Sequence, residues 1–220
     1  VDQHCDHFGR AADHPGHAGR VAAQYRYVGG RRLALPPSAL DFIVMDLSQE
    51  NVLRLKSDAA GAALGHPWAG LEILNLGDAA LPDGASATLL GGDGHLMGCG
   101  VFDRRDPSAA WRRFSWAEGV AFDESYIADA MQEALARRGE AGCQRLISSD
   151  ADYLPGLIVE KYDDVLTITA ETAAVDAHLY VIAEMLKEHF SPREIVLLND
   201  CEARTAFGLE RSIRTLSGNN

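Results

Sequence analysis

The stretch Arg145-Leu-Ile-Ser-Ser-Asp-Ala-Asp-Tyr-Leu-Pro-Gly-Leu-Ile-Val-Glu-Lys-Tyr-Asp-Asp-Val-Leu-Thr-Ile-Thr169 decides the fold of the second half of this chain. Its apolar segment Leu157–Val159 predicts one strand, and the alternating side chains of Val165–Thr169 predict a second. Tyr162–Asp164 between them reads as a tight turn. Pro155-Gly156 predicts a turn just before the first strand, because proline fixes φ and glycine accepts positive φ. The stretch therefore predicts a β-hairpin.

Composition and charge narrow the class of protein. The 220 residues are 47% hydrophobic and 24% charged, as in ordinary globular proteins, and no run of about 18 apolar residues predicts a membrane span. The four cysteines form no CxxC pair, which indicates reduced thiols in a cytoplasmic protein. The net charge of −12 argues against binding to long nucleic acid such as DNA, where phosphate neutralisation supplies most of the affinity. A local basic face on an acidic body remains open.

Residues 1–47 show neither helical nor strand periodicity, and we expect them to be disordered or an extension upstream of a start at Met45. Histidine and cysteine are preferred zinc ligands, but their spacing here fits no structural zinc pattern, so a solvated tail is the favoured interpretation. The possible ligands are His4, Cys5, His7, His14 and His17.

Residues 48–118 contain about five short strands punctuated by glycine turns, which predicts a small barrel or sandwich. Glycines inside the strand that ends near Phe102 predict a bulge or a bend. The densest cationic and aromatic cluster of the chain also lies here. Guanidinium groups can bind phosphates and indoles can stack on unpaired bases, although core tryptophans and a solvated basic face are the commoner outcome. The cluster comprises Arg104, Arg105, Trp111, Arg112, Arg113 and Trp116.

Residues 119–205 predict a sheet with helices packed on it. Asp123 can cap a helix that runs to about Arg138, and a second amphipathic helix is predicted from about Asp176 to Phe190. The segment Glu194–Leu198 predicts a further strand. This order of elements indicates an α+β fold.

The opening stretch, with Asp150, Asp152 and Leu154–Tyr162, resembles the middle domain of a bacterial family. These are the class I S-adenosylmethionine-dependent large-subunit rRNA cytosine-C5 methyltransferases, which carry an N-terminal PUA domain. The sequence departs from their pattern at Ser149, where the family has glutamate, and at Tyr153, where it has a small residue.

Three other segments carry the same resemblance, which covers roughly residues 50 to 215. Gly65–Trp68 with Glu72-Ile73 is similar to the GHPW start of the PUA domain. Gly98–Gly100 to Ser108, with Arg112 or Arg113, is similar to its glycine-rich strand and Ser…Arg ending. Asp200–Glu210 resembles the segment that follows the middle domain.

The resemblance implies a domain order. A small PUA-like β-barrel occupies 48–118, a mixed α/β middle domain 119–205, and 206–220 begins a linker to a catalytic domain that this chain lacks. Cytosine-C5 methylation requires a thiolate that adds to the base and a fold that holds the cofactor. None of Cys5, Cys99, Cys143 and Cys201 matches the family nucleophile. The chain is therefore expected to hold no S-adenosylmethionine and to be catalytically silent.

The resemblance implies that the chain is the RNA-binding portion of a 23S rRNA methyltransferase. It raises the expectation that the basic cluster contacts phosphates of ribosomal RNA. The alternative is a protein-interaction or scaffold module with a PUA-like shape that no longer binds RNA. The predicted RNA-binding residues are Lys56, Arg104, Arg105, Arg112 and Arg113.

Overall fold

The computed structural model describes residues 25–28, 31–34, 51–56, 66–77, 81–139 and 141–217, and it divides the chain into the units Val1–Ser48 and Gln49–Asn220. In the first unit, strands β1 (Tyr25–Val28) and β2 (Arg31–Ala34) pair antiparallel. The β propensity of tyrosine and valine favours these strands. The expectation that 1–47 are disordered or an upstream extension stays a prediction. The candidate zinc ligands of the N-terminal segment lie outside the described residues.

The second unit begins with a six-stranded mixed sheet, here called the first sheet, which forms a nearly closed, barrel-like structure. Its spatial order is β4-β8-β7-β6-β3-β5, in which β3 and β6 are parallel and the other pairs antiparallel. The strands are β3 (Val52–Leu55), β4 (Trp68–Ala69), β5 (Leu74–Asn75), β6 (Ala85–Leu90), β7 (Leu96–Phe102) and β8 (Trp111–Ser115).

The predicted bend in β7 is confirmed, and two glycines explain it. The pairing of β7 with β8 shifts register between Cys99 and Gly100. Gly98 has φ of +116°, and a Cβ there would lie 2.3 Å from the carbonyl oxygen of Ser115. A Cβ at Gly100 would lie 2.4 Å from the indole of Trp111. Only glycine therefore allows β8 to cross β7 this closely.

A five-stranded sheet, the second sheet, has the order β13-β12-β11-β10-β9, with β11 and β12 parallel and the other pairs antiparallel. Helices α1 and α3 contribute to the same hydrophobic core as its inner face. Its strands are β9 (Cys143–Ser148), β10 (Leu157–Tyr162), β11 (Val165–Ala170), β12 (Glu194–Asn199) and β13 (Ser212–Ser217).

The hairpin predicted from the opening stretch is formed by β10 and β11. Tyr162 pairs with Val165, and Asp163 in the turn has φ of +53°. Along β11 the buried residues alternate with half-buried ones, as the two-residue period predicts. The predicted α+β fold class is confirmed.

The helices follow the prediction with one difference. Asp123 accepts a hydrogen bond from the amide of Tyr126 and caps α1 (Glu124–Ala136). The predicted single helix from Asp176 to Phe190 is two helices, α2 (Ala173–Ala177) and α3 (Leu179–Phe190). They separate at His178, whose φ of −106° and ψ of 7° are not helical.

The segment 206–217, where the resemblance implies the start of a linker, contains a strand, and the linker assignment stays a prediction. The short helix α4 (Ala203–Ala206) leads into β13, whose residues pair with all six positions of β12. The carbonyl of Glu210 accepts a hydrogen bond from Arg204 Nε at 2.9 Å. Pairing with an otherwise open sheet edge satisfies backbone groups that a linker would leave to water, so this segment completes the second sheet.

The predicted boundary between 118 and 119 falls within a continuous hydrophobic core. Cys99, Val101 and Phe114 of the first sheet belong to the same buried cluster as α1 and the second sheet. A separate cluster around Trp111 fills the interior of the first sheet. The assignment of 48–118 and 119–205 to separate domains stays a prediction. Among the described helices, none has the length and apolar character needed to cross a membrane.

Candidate functional site

Lys56 and Arg104 are the most accessible of the five predicted RNA-binding residues. Lys56 is exposed, and its ammonium donates to the carbonyl of Glu72 at 2.6 Å. Arg104 is also exposed, donates to the carbonyl of Leu81 at 2.8 Å, and lies 3.7 Å from Asp83. A backbone carbonyl does not neutralise a cation, and a 3.7 Å ion pair at the surface is weak. Both charges therefore remain available to an anion.

Arg105 is committed to partners within the protein. Its guanidinium makes a two-point contact with Asp103, with Nε–Oδ1 and Nη2–Oδ2 distances of 2.8 and 2.6 Å. Its Nη1 also donates to the carbonyl of Phe207 at 2.7 Å. The hydrogen bonds that Arg105 donates to Asp103 raise the pKa of Arg105. This side chain links the loop after β7 to the segment after α4.

Arg112 lies in the contact between the two sheets. Its Nη2 donates to Asp106 at 2.8 Å, and its Nη1 lies 3.8 Å from Asp150. The guanidinium also stacks 4.8 Å above the ring of Trp68. Burial works to raise the pKa of Asp106, but the bonds from Arg112 and Ser108 outweigh it and hold that pKa low. The positive charge of Arg112 is thus largely compensated.

Arg113 differs from the other three arginines because it is buried without a counter-charge. Only 4% of the residue is exposed, and no carboxylate of the described residues lies within 4.0 Å of it. The carbonyl of Met97 accepts a long hydrogen bond of 3.4 Å from its guanidinium, which lies 3.5 Å from the ring centre of Trp116. Burial lowers the pKa of Arg113, as expected for an uncompensated cation.

The structure separates the two tryptophans of the sequence cluster. Trp111 is buried and donates from its indole to the carbonyl of Ala87 at 2.9 Å, so it is a core residue. Trp116 is 55% exposed. The prediction had left stacking and core packing open for both, and the structure assigns core packing to Trp111 alone.

Two exposed aromatic residues were missed by the sequence reasoning. Trp68 is 39% exposed and Tyr153 is 41% exposed. The sequence analysis names Trp68 only as part of the GHPW resemblance, and it names Tyr153 only as a departure from the family pattern. We refer to Trp68, Trp116 and Tyr153 together as the aromatic patch.

Hydrogen bonds fix the turn that presents Tyr153. This turn is a short 3₁₀ helix over Ser149–Asp152, followed by Tyr153 in the left-handed region at φ of +59°. Trp68 Nε1 donates to Asp150 at 2.9 Å. Tyr126 Oη lies 3.0 Å from the carbonyl oxygen of Tyr153 and also contacts the carbonyl oxygen of Phe114 in β8. The turn is therefore held against the first sheet from two sides.

Asp150 and Asp152, which resemble a paired acid site in the sequence, have different partners. Asp152 is 3% exposed and accepts hydrogen bonds from Arg137, Arg138 and the Ser148 amide. Burial alone would raise the pKa of Asp152, but these bonds and the arginine charges hold it below its ordinary value. A carboxylate whose pKa is lowered and which accepts from three donors stabilises the turn and is unsuited to proton transfer near neutral pH.

Two cavities in the described residues are small. One of about 10 Å³ lies where the sheets meet and is lined in part by Val101, Arg112 and Phe207. The other, of about 160 Å³, is a polar cleft on the second sheet near Tyr180 and Arg204. Sites for small molecules and cofactors are usually about 300–1,000 Å³. Neither cavity reaches that size.

Comparison with known proteins finds that this chain is similar to rRNA methyltransferases. No family model matches it. The chain is 24% identical over 159 residues to ribosomal RNA large subunit methyltransferase I of Aliivibrio fischeri (strain MJ11), an alignment that covers 70% of this chain and 40% of that protein. The corresponding protein of Pseudoalteromonas translucida is 26% identical over 160 residues with the same coverage. The corresponding protein of Pseudoalteromonas atlantica is 33% identical over 100 residues, which cover 44% of this chain and 25% of that protein.

Its relatives are large-subunit rRNA methyltransferases. The chain spans about 40% of the length of the curated proteins that it matches over most of its own length. Among solved structures, a Streptococcus mutans protein described as SAM-dependent methyltransferase superposes with a TM-score of 0.55 at 15% identity over 77% of this chain and 44% of that one. A methyltransferase structure complexed with SAH gives 0.54 at 14% identity over 78% and 43%. At these identities the structures establish a shared fold.

Proposed function

We propose that these 220 residues form the RNA-binding portion of a protein related to the SAM-dependent large-subunit rRNA cytosine-C5 methyltransferases. The observation that carries the proposal is similarity to large-subunit rRNA methyltransferases over 70% of the chain. The structural neighbours support a shared fold over 77% of the chain. A PUA-like role for 48–118 fits the barrel-like first sheet.

The basic residues divide into three roles in this proposal. Lys56 and Arg104 carry exposed positive charge that an anion can reach, and we assign them to phosphate contacts. Arg113 has no counter-charge but is 4% exposed, so it attracts an anion through its electric field without contacting it. Arg105 and Arg112 are paired with buried or half-buried carboxylates. These two arginines hold the loops beside the phosphate contacts in place. Their substitution would weaken RNA binding mainly by destabilising the fold.

The residues of this chain do not fit S-adenosylmethionine. A class I methyltransferase holds its cofactor at a glycine-rich connection between a parallel strand and a helix, as dinucleotide-binding folds do. The parallel strands β11 and β12 lead to α2 and α4 through Glu171-Thr172 and Asp200–Glu202, and neither connection contains glycine. Neither cavity described above has room for the cofactor. We therefore propose that this chain binds rRNA and transfers no methyl group.

A salt series tests the binding half of the proposal. For single-stranded nucleic acid, log K falls with log[salt] by about 0.7 per phosphate contact. The two accessible contacts predict a slope of about −1.4, whereas all five basic residues would give about −3.5. Lys56→Ala combined with Arg104→Ala should reduce the slope by about 1.4. Arg193→Ala removes an exposed arginine of the second sheet and should leave the slope unchanged.

A methyl-transfer assay with radiolabelled cofactor and undermodified large-subunit rRNA tests the proposal that the chain transfers no methyl group. Incorporation should stay at the background of the protein-free reaction. Turnover above that background by residues 1–220 would overturn the assignment.

A protein-interaction module is the second candidate function. The net charge of −12 and the ion pairs of Arg105 and Arg112 favour it. The two candidates separate in filter binding of rRNA fragments at two salt concentrations. Salt-sensitive binding supports the RNA-binding function, and no binding at either concentration supports the interaction module.

A further inference from the structure

We infer that the aromatic patch binds unpaired RNA bases by stacking, and that Arg113 supplies the charge that attracts the neighbouring phosphate. This inference rests on the proposed RNA-binding function and adds to it the class of RNA that is recognised. It also assigns a role to three aromatic residues that the basic cluster alone does not explain.

Exposure is the first observation. Trp68, Trp116 and Tyr153 expose between 39% and 55% of their surface, although large aromatic side chains usually stabilise a fold by burial. Exposed aromatic rings beside cationic groups are the usual platform for single-stranded nucleic acid, because every base offers a π face.

Proximity is the second observation. Trp68 on β4 pairs with Arg112 on β8, and its indole is bonded to Asp150 in the 149–152 turn. Tyr153 follows that turn directly. Trp116 follows the last residue of β8.

Rigidity strengthens this arrangement. Tyr126 contacts the carbonyl oxygens of both Phe114 and Tyr153 and so ties β8 to the turn. The three rings are therefore presented by backbone segments that hydrogen bonds join. A preorganised platform loses less entropy when a base stacks on it.

Charge is the third observation. The guanidinium of Arg113 covers one face of the Trp116 ring at 3.5 Å, and no carboxylate of the described residues compensates it. A buried and uncompensated cation projects a positive potential because the surrounding dielectric constant is low. Trp116 thus combines an exposed indole with a fixed positive charge. A nucleotide, which has an apolar base and an anionic phosphate, matches this pair.

Unpaired RNA fits the patch better than a duplex does. In a double helix the faces of the bases are covered by their neighbours, and side chains reach only edges and phosphates. A patch that offers ring faces and a single uncompensated guanidinium can use a base only when it is unstacked. Stacking is also insensitive to salt, which suits a protein with a net charge of −12.

The test compares an unpaired RNA oligonucleotide with a hairpin of the same composition, using residues 1–220 and fluorescence anisotropy. Trp116→Ala and Tyr153→Ala should each weaken binding of the unpaired RNA by about 5- to 150-fold, with an unchanged salt slope. Trp116→Phe should restore most of the affinity because it keeps a stacking ring. Arg113→Met should weaken binding of the unpaired RNA and leave the slope nearly unchanged, because the buried guanidinium acts through its electric field and does not contact a phosphate.

Tyr180→Ala is the matched control, since Tyr180 is an exposed aromatic residue of α3 beside the polar cleft of the second sheet. Its affinity should equal that of the wild type. Circular dichroism melting of each variant separates loss of binding from loss of fold. Unpaired RNA that binds equally well to wild type, Trp116→Ala and Tyr153→Ala would overturn this inference while leaving the RNA-binding function intact. A wild-type protein that binds neither RNA would overturn both.

Discussion

Replacing Asp152 with asparagine perturbs the turn on which the aromatic patch depends. The carboxylate is 3% exposed, lies 3.0 Å from Arg137 Nη2 and 2.7 Å from the Ser148 amide, and also pairs with Arg138. Removing one partner of a buried ion pair typically costs about 3–5 kcal/mol. Both arginines are partly exposed and can rehydrate, which places the expected loss near the lower end, at about 3 kcal/mol.

Thermal and urea unfolding measure this loss. For a unit of this size, about 3 kcal/mol corresponds to a fall in Tm of about 6–12 °C. Asp164→Asn is the matched control because its pair with Arg193 is exposed at 3.0 Å. Exposed pairs contribute about 0–1 kcal/mol. A Tm for Asp152→Asn within about 1 °C of the control would refute the role assigned to Asp152.

Asp152→Asn should also change how the free energy of unfolding depends on pH. The pKa of Asp152 is lower in the folded protein than the ordinary value of 3.8. A carboxylate of this kind stabilises the fold at a pH above its unfolded pKa, and that contribution is lost as pH falls towards the folded pKa. Wild-type stability should therefore decline between about pH 5 and pH 2 more steeply than that of Asp152→Asn. Parallel declines would contradict the ion pair.

Two further substitutions test the packing of the first sheet. Gly98→Ala should lower the free energy of unfolding by about 1–3 kcal/mol, because its Cβ would lie 2.3 Å from the carbonyl oxygen of Ser115 at a positive φ. Gly139→Ala is the control, since a Cβ there meets nothing within 4 Å. In the same urea titration it should change the free energy of unfolding by less than about 0.5 kcal/mol. Arg105→Ala should lower the free energy of unfolding by about 1–2 kcal/mol. It should also speed amide hydrogen exchange around Phe207, because the wild-type guanidinium binds the carbonyl of Phe207. Unchanged exchange around Phe207 would show that this hydrogen bond does not hold the segment.

The parts of the fold that sequence predicted are those governed by local periodicity. The hairpin β10–β11 follows from alternation in Val165–Thr169, and α1 follows from the Asp123 cap. The bend in β7 followed from its glycines. Each of these signals lies within a few residues of the structure that it specifies.

The site was harder to predict because its contacts join distant residues. Trp68 and Asp150 are 82 positions apart, and Arg105 and Phe207 are 102 apart. No local pattern distinguishes a free arginine from one whose carboxylate partner arrives from another strand. Arg113 is an exception, since it shares the inward side of β8 with Trp111 and its burial could have been inferred from that alternation.

The segment 206–217 shows another limit of sequence reasoning. In its strand β13 the consecutive residues Ile213, Arg214 and Thr215 are all exposed, so hydrophobic periodicity gives little signal. The strand forms because β12 offers an open edge with matching register. Such an edge is visible only once the sheet has been assembled.

The salt dependence of rRNA binding by residues 1–220 tests the central claim most directly. Equilibrium filter binding of a large-subunit rRNA fragment should show specific binding with a slope of log K against log[salt] of about −1.4. That value corresponds to Lys56 and Arg104 as the accessible charges. Absence of binding at low salt would contradict the RNA-binding function, and a slope near −3.5 would contradict the assignment of Arg105 and Arg112 to internal ion pairs.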